Sequence, residues 1–259
     1  MIFAILFILV GAVAGLLAGM LGIGGGMITI PTLFFLFSYL APGLDMHYAV
    51  GTSLAAMVFN TMASTSAHYR KQGIHGATLA PMLPGALVGC VIGAYIAKLI
   101  PSEMLKVGFG IFAVYVGIRF LKAKNPNASD KPIPPRPILN LFGLGIGFVS
   151  SLLGIGGGLM TVPLLSRYAI PMKKVIGTSA AFTLAVTAVG ATSYLFFGNP
   201  RTPIEDTLGL VYLPAFIAIA LSSFPFAILG VKLAHYLPTP LLRKIFGAVL
   251  ILAGGLMLT

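Results

Sequence analysis

The sequence predicts an all-α polytopic membrane protein built from two inverted-topology repeats, each a glycine-broken helical hairpin plus three transmembrane helices. Three observations carry that prediction: the composition, an internal repeat, and the placement of the basic residues. Of the 259 residues, 58% are hydrophobic and only 8% are charged, where a soluble domain carries about 25% charged residues. Apolar runs recur along the whole chain, many near the ~20 residues that cross a bilayer. The first, "MIFAILFILVGAVAGLLAG", lacks the basic start of a signal peptide and is expected to be a retained helix.

The repeat is read next. "GMLGIGGGMITIPTL" from Gly19 is echoed by "SLLGIGGGLMTVPLL" from Ser151, 132 residues later. "VGTSLAAM" from Val50 answers "IGTSAAF" from Ile176 at an offset of 126, and "PSEMLK" from Pro101 answers "PTPLLRK" from Pro238 at 137. The polar, proline-rich stretch "KAKNPNASDKPIPPRP" joins the halves, so the first repeat is 1–121, the linker 122–137 and the second repeat 138–259.

Each half offers five apolar segments: 2–20, 27–40, 46–68, 76–99 and 103–121, then 138–154, 159–169, 175–197, 208–235 and 240–258. The second segment is short, since fourteen residues rise about 21 Å against a hydrocarbon core near 30 Å. It either completes one broken crossing with the first segment or returns as a hairpin. The charges decide. With a hairpin, thirteen of the 16 Lys and Arg residues fall on one face and only Lys98, Lys106 and Arg201 on the other; with one crossing they split eight to eight. The positive-inside rule selects the hairpin. The linker is then cytoplasmic and both termini lie outside. The second half starts on the face opposite to the first, as in secondary transporters with a central site.

Non-helical backbone inside a bilayer survives only where protein or a water-filled cavity covers it. Gly24, Gly25 and Gly26, with Gly22 before them, are expected to break the first helix and open a second one whose N-terminal N–H groups and positive dipole end attract an anion. Gly156, Gly157 and Gly158 are expected to do the same from the other side. Thr29 and Thr161 follow the loops; Thr52, Ser53, Thr178 and Ser179 form the two "GTS" pairs, with Asn60 and Thr61 deeper. Their neutral donors suit an anion in a membrane, although each hydroxyl could instead satisfy a carbonyl of its own helix. Gly11, Gly15 and Gly19, and Gly85, Gly89 and Gly93, have the four-residue spacing of close helix packing. Pro81, Pro84, Pro214 and Pro225 are expected to kink the fourth segment of each half.

The same residues exclude other classes. The basic residues are scattered in short loops, against nucleic acid as a partner. The five acids, Asp45, Glu103, Asp130, Glu205 and Asp206, all fall in loops, which disfavours a cation carrier or a proton relay. The four histidines, His47, His68, His75 and His235, lack metal-ligand spacing, and the single Cys90 excludes a cysteine cluster. No catalytic set, metal or cofactor is expected. The partners are a small anion and the lipid bilayer; an oligomer is permitted but not indicated.

The doubled glycine–proline motif and the paired "GTS" helices resemble the TauE/SafE sulfite exporter family of membrane permeases over essentially the whole chain. The resemblance implies transport of sulfite, sulfoacetate or a related sulfur-containing or organic anion across the prokaryotic cytoplasmic membrane. It places the two glycine triplets and both Thr–Ser pairs in the substrate region. A secondary transporter working by alternating access and an anion-selective channel remain open at this point.

Overall fold

The computed structural model describes residues 2–40, 43–122, 131–198, 205–233 and 239–259. The first half holds α1 (Ile2–Leu21), α2 (Gly26–Leu40), α3 (Met46–Arg70), α4 (Gly76–Leu99) and α5 (Ser102–Lys122). The second holds α6 (Arg136–Leu153), α7 (Gly158–Leu165), α8 (Met172–Phe197), α9 (Leu213–Leu233) and α10 (Thr239–Leu258). A two-residue antiparallel ribbon, β1 (Thr207–Leu208) and β2 (Val211–Tyr212), precedes α9.

Among the described residues, six helices are long and apolar enough to cross a membrane: α1, α4, α5, α6, α8 and α9. The molecule is a multi-pass membrane protein. Helix α3 is missing from that set because it is the most polar of the long ones, yet Thr52, Ser53, Asn60, Thr61 and Ser64 on it are all buried. Protein rather than lipid surrounds that face. The outer surface carries the reverse pattern, with Ile5, Leu9, Leu99, Ile111, Leu141 and Leu221 exposed, as a lipid-facing shell requires.

Small residues set the packing. Gly11, Gly15 and Gly19 on α1 lie against the backbone at Ile219, Ser223 and Ala227 of α9 in that order, so the two helices run parallel. Gly85, Gly89 and Gly93 on α4 meet Asn140, Leu144 and Phe148 of α6, again parallel. Both stripes therefore pack within the chain, backbone on backbone. Helices α3 and α8 run antiparallel: Gly51 meets Tyr194 at one end, Gly177 meets His68 at the other, and the Thr61 and Thr187 hydroxyl oxygens stand 3.5 Å apart between them. Gly110 and Gly117 of α5 meet Gly254 and Gly247 of α10, also antiparallel. Exchanging the halves turns the α1–α9 pair into α6–α4 and maps α3–α8 and α5–α10 onto themselves.

Several expected boundaries move. The segment expected over 208–235 begins as the ribbon, and its helix starts only at Leu213 because Gly209, with φ of 57°, turns the chain there. Pro214 thus sits at the second residue of α9, where a missing N–H costs nothing; Pro81, Pro84 and Pro225 are inside their helices. The short helix α7 stops at Leu165 rather than 169. Glu103, expected in a loop, lies in the first turn of α5, a favourable place for an acid. Of the linker, residues 131–135 are non-helical and the Ala169 N–H donates to the Lys131 carbonyl at 2.9 Å; residues 123–130 and His235 lie outside the described residues.

Candidate functional site

Helix α1 ends where the Gly22 N–H donates to the Ala18 carbonyl at 2.8 Å and Gly22 turns left-handed, φ 67°. Gly24 and Gly25 follow at φ 85° and 82°, and α2 starts at Gly26. The second loop repeats this residue for residue: Gly154 at 74°, Gly156 at 76°, Gly157 at 79°, then α7 from Gly158. L-residues with a Cβ rarely adopt that backbone, which is the local reason for the glycines. The loops touch at the centre of the molecule. A Cβ on Gly26 would stand 2.6 Å from the Gly154 carbonyl oxygen, and one on Gly158 would stand 2.5 Å from that of Gly22.

Two side chains from the antiparallel pair α3–α8 close around this junction. The Met57 sulfur lies 3.2 Å from a Cβ position on Gly24 and 3.3 Å from one on Gly156; Thr183 Cγ2 lies 3.0 Å and 3.1 Å from the same two. Met57 and Thr183 occupy matching positions at the repeat offset of 126, as do Thr61 and Thr187. So the centre is nearly symmetric in shape but not in chemistry: one half supplies a thioether, the other a hydroxyl.

The carbonyl oxygens of the junction are largely covered by donors. Asn60 Nδ2 donates to the Gly24 carbonyl at 3.1 Å, Thr29 Oγ1 to Gly25 at 3.1 Å, and Thr161 Oγ1 to Gly157 at 3.0 Å. Ser179 Oγ lies 3.2 Å from the Gly22 carbonyl and 3.4 Å from that of Gly158. The Gly25 carbonyl also accepts from the N–H groups of Ile28 and Thr29, and Gly157 from Met160 and Thr161. The N–H groups of Gly26, Met27, Gly158 and Leu159 stand ahead of those ladders at the positive ends of α2 and α7. These first-turn N–H groups are donors of the kind an anion uses. That surface suits an anion without any formal positive charge.

Two buried polar atoms at the junction, Thr183 Oγ1 and Asn60 Oδ1, have no partner among the described residues, and neither do Ser53 Oγ on α3 and Ser150 Oγ on α6. Thr183 Oγ1 is 3.0 Å from a Cβ position on Gly158, and Ser150 Oγ is 3.2 Å from one on Gly157. An unmade buried hydrogen bond costs about 1–3 kcal/mol, and a polar ligand at Thr183 Oγ1 would remove that cost.

The sequence-expected residues thus divide. Gly24, Gly26, Gly156 and Gly158 meet at the junction, with Asn60 and Ser179 on its carbonyls; Gly25 and Gly157 face back onto Ala14 and Ser150. Thr29 and Thr161 spend their hydroxyl protons on the loops themselves. Ser53 is buried on α3, one turn before Met57. Thr52 and Thr178 go elsewhere: Thr52 Oγ1 accepts the Tyr212 N–H at 2.9 Å, and Thr178 Oγ1 accepts the His75 N–H at 2.8 Å. Met57 and Thr183 were not expected. The signal for Thr183 is a polar face at four-residue spacing, Ser179, Thr183 and Thr187, matching Ser53, Met57 and Thr61.

Comparison with known proteins points to a membrane transporter. The family model described as "Sulfite exporter TauE/SafE" matches residues 7–257. A probable membrane transporter protein of Haemophilus influenzae is 34% identical over 255 residues, covering 96% of each chain. One of Methanocaldococcus jannaschii is 29% identical, over 98% of this chain and 94% of its own length. A third, from Bacillus subtilis, is 28% identical over 75% of this chain and 79% of its own.

Proposed function

The chain belongs to the TauE/SafE sulfite exporter family, and from that premise we propose that it is a secondary transporter carrying a small anion across the cytoplasmic membrane by alternating access. The substrate class is sulfite, sulfoacetate or a related sulfur-containing or organic anion. The observation that carries the reading is the meeting of two matched glycine loops, each opening a short helix, around the unpartnered Thr183 hydroxyl. First-turn N–H groups and a neutral hydroxyl hold an oxyanion by hydrogen bonds alone.

The helix directions support the mechanism. Matching helices α3 and α8 run oppositely, as do α5 and α10, which is the relation an inverted-topology repeat needs to expose one central site to either side in turn. The closed junction, with loop touching loop, supports a carrier over an open channel.

Binding to the purified protein tests this first. A thermal-shift panel of sulfite, sulfate, thiosulfate, sulfoacetate, acetate and chloride should give selective stabilisation by sulfite or a sulfonate. Liposome flux of that anion should then saturate and show counterflow. A flat panel withdraws the substrate; large unitary currents replace the carrier with a channel.

A further inference from the structure

The two "GTS" motifs make the same two-point contact at opposite ends of the α3–α8 pair. At one end, a Cβ on Gly51 would overlap the Leu210 carbonyl oxygen, and two residues later the Tyr212 N–H reaches Thr52 Oγ1. At the other, a Cβ on Gly177 would overlap the Gly73 carbonyl oxygen, and two residues later the His75 N–H reaches Thr178 Oγ1. Tyr212 is the residue before α9, and His75 is the N-cap of α4. Each contact therefore crosses between repeats and fastens the start of the other repeat's fourth helix. Both threonines are 0% exposed.

We propose that Thr52 and Thr178 are the latches of two alternating gates: the Thr52 latch closes the end of the molecule that carries the ribbon, and the Thr178 latch closes the opposite end. The inference rests on the alternating-access reading above and assigns the "GTS" hydroxyls to positioning rather than to the anion. Glycine lets the loop carbonyl lie on the helix, and the threonine oxygen holds the next N–H but one. A hydroxyl acceptor for a backbone N–H contributes about 1 kcal/mol in such a place, small enough to break within a transport cycle. Breaking one latch frees α9 or α4 to swing from the junction. The parallel partners α1 and α6 transmit the swing, because Gly15 and Gly89 weld α1 to α9 and α4 to α6. Those partners lead directly into the glycine loops, so a moving fourth helix carries a loop with it.

Hydrogen–deuterium exchange on the full-length protein in lipid nanodiscs reads the two latches as the segments 205–213 and 72–79. Thr52→Val keeps the side-chain volume and removes the acceptor. It should speed exchange in 205–213 by about fivefold and slow it in 72–79, since opening one gate draws the population from the other state. Thr178→Val should do the reverse, and Thr52→Ser should restore the original pattern. A merely structural hydrogen bond would loosen its own segment and leave the other unchanged; that result overturns the proposal. Where Thr52→Val does not fold, an oxidised Thr52→Cys, Tyr212→Cys pair in a Cys90→Ala background replaces it. Locking the first latch should then speed exchange in 72–79, and no change there also overturns the proposal. Flux of the unmodified protein is measured separately. Reciprocal exchange without anion flux keeps the latches and removes the substrate, whereas flux with counterflow but no reciprocity removes the latches alone.

Discussion

At Thr183 a single hydroxyl distinguishes one half of the junction from the other, because its counterpart is the thioether of Met57. The hydroxyl is buried and unpartnered, and it projects toward the start of α7. Thr183→Val conserves volume and removes only that donor. The anion that stabilises the unmodified protein should bind about ten- to a hundredfold more weakly, since a hydrogen bond to a charged group contributes about 1.5–3 kcal/mol. Unchanged affinity in a titrated thermal shift would place the ligand elsewhere. The glycines were legible in the sequence because a left-handed backbone admits little else, and the duplication fixed their equivalence. Thr183 and Met57 were not, because their convergence depends on how α3 crosses α8. Thr52 and Thr178 misled for a related reason: a buried hydroxyl has the same sequence signature whether it serves a ligand or a backbone N–H.

At the scale of elements, the glycine stripes and the caps decide what holds. Helices α4 and α6 are in backbone contact at Gly89, where an added Cβ would overlap the Leu144 carbonyl oxygen. Gly89→Leu must push two helices apart, costing more than the ~1–3 kcal/mol of ordinary overpacking, and little folded protein should be recovered in detergent. Gly145, on the same helix α6, has nothing within 4 Å of a Cβ position, so Gly145→Ala should leave the melting temperature unchanged or raised, with up to ~1 kcal/mol gained in helix propensity. Equal loss in both variants would refute the packing argument. Helix α3 is held at its start by Asp45, whose carboxylate accepts from the His47 N–H at 2.9 Å and faces His47 Nδ1 at 2.9 Å. His47 Nε2 faces the carbonyls of Ala97 and Ile100, each at 3.1 Å, at the end of α4. All of these partners accept, so the ring carries both protons and links α3 to α4. Burial alone would raise the Asp45 carboxyl, but the hydrogen bond and charge of His47, with the N–H groups of His47 and Tyr48, outweigh it and hold the carboxyl below its ordinary value. A carboxyl depressed in the folded state contributes stability above its unfolded value and loses it as pH falls through the folded one, below about 4. Asp45→Ala should lower the melting temperature at neutral pH, at a cost of about 1 kcal/mol typical of a lost N-cap, and should flatten the acid limb. An identical acid limb in variant and parent would show that other groups set it. Hydrophobic runs revealed eight of the ten described helices nearly to their ends, whereas α7 and the start of α9 were misjudged because the apolar runs continue past them into non-helical chain.

For the whole molecule, the helix directions are those that a hairpin in each half would produce. The count of basic residues requires a hairpin in each half, which makes matching helices run oppositely. The contacts are read without any charge: α3 against α8 and α5 against α10 are antiparallel, α1 with α9 and α4 with α6 are parallel. A single crossing in place of each hairpin would have made α3 and α8 parallel. Geometry alone does not contain which side faces the cytoplasm; the thirteen-to-three distribution makes a cytoplasmic linker the expectation to test. In a Cys90→Ala background, Ser129→Cys in the linker should react with a membrane-impermeant maleimide only after the cells are opened. Thr259→Cys should react in intact cells. The reverse pattern would invert the protein while keeping its internal symmetry, and would exchange the sides that the Thr52 and Thr178 latches face. Labelling of both from one side would agree with this prediction's premise in neither orientation, because an odd number of crossings separates the linker from the C-terminus in every reading of the antiparallel pairs.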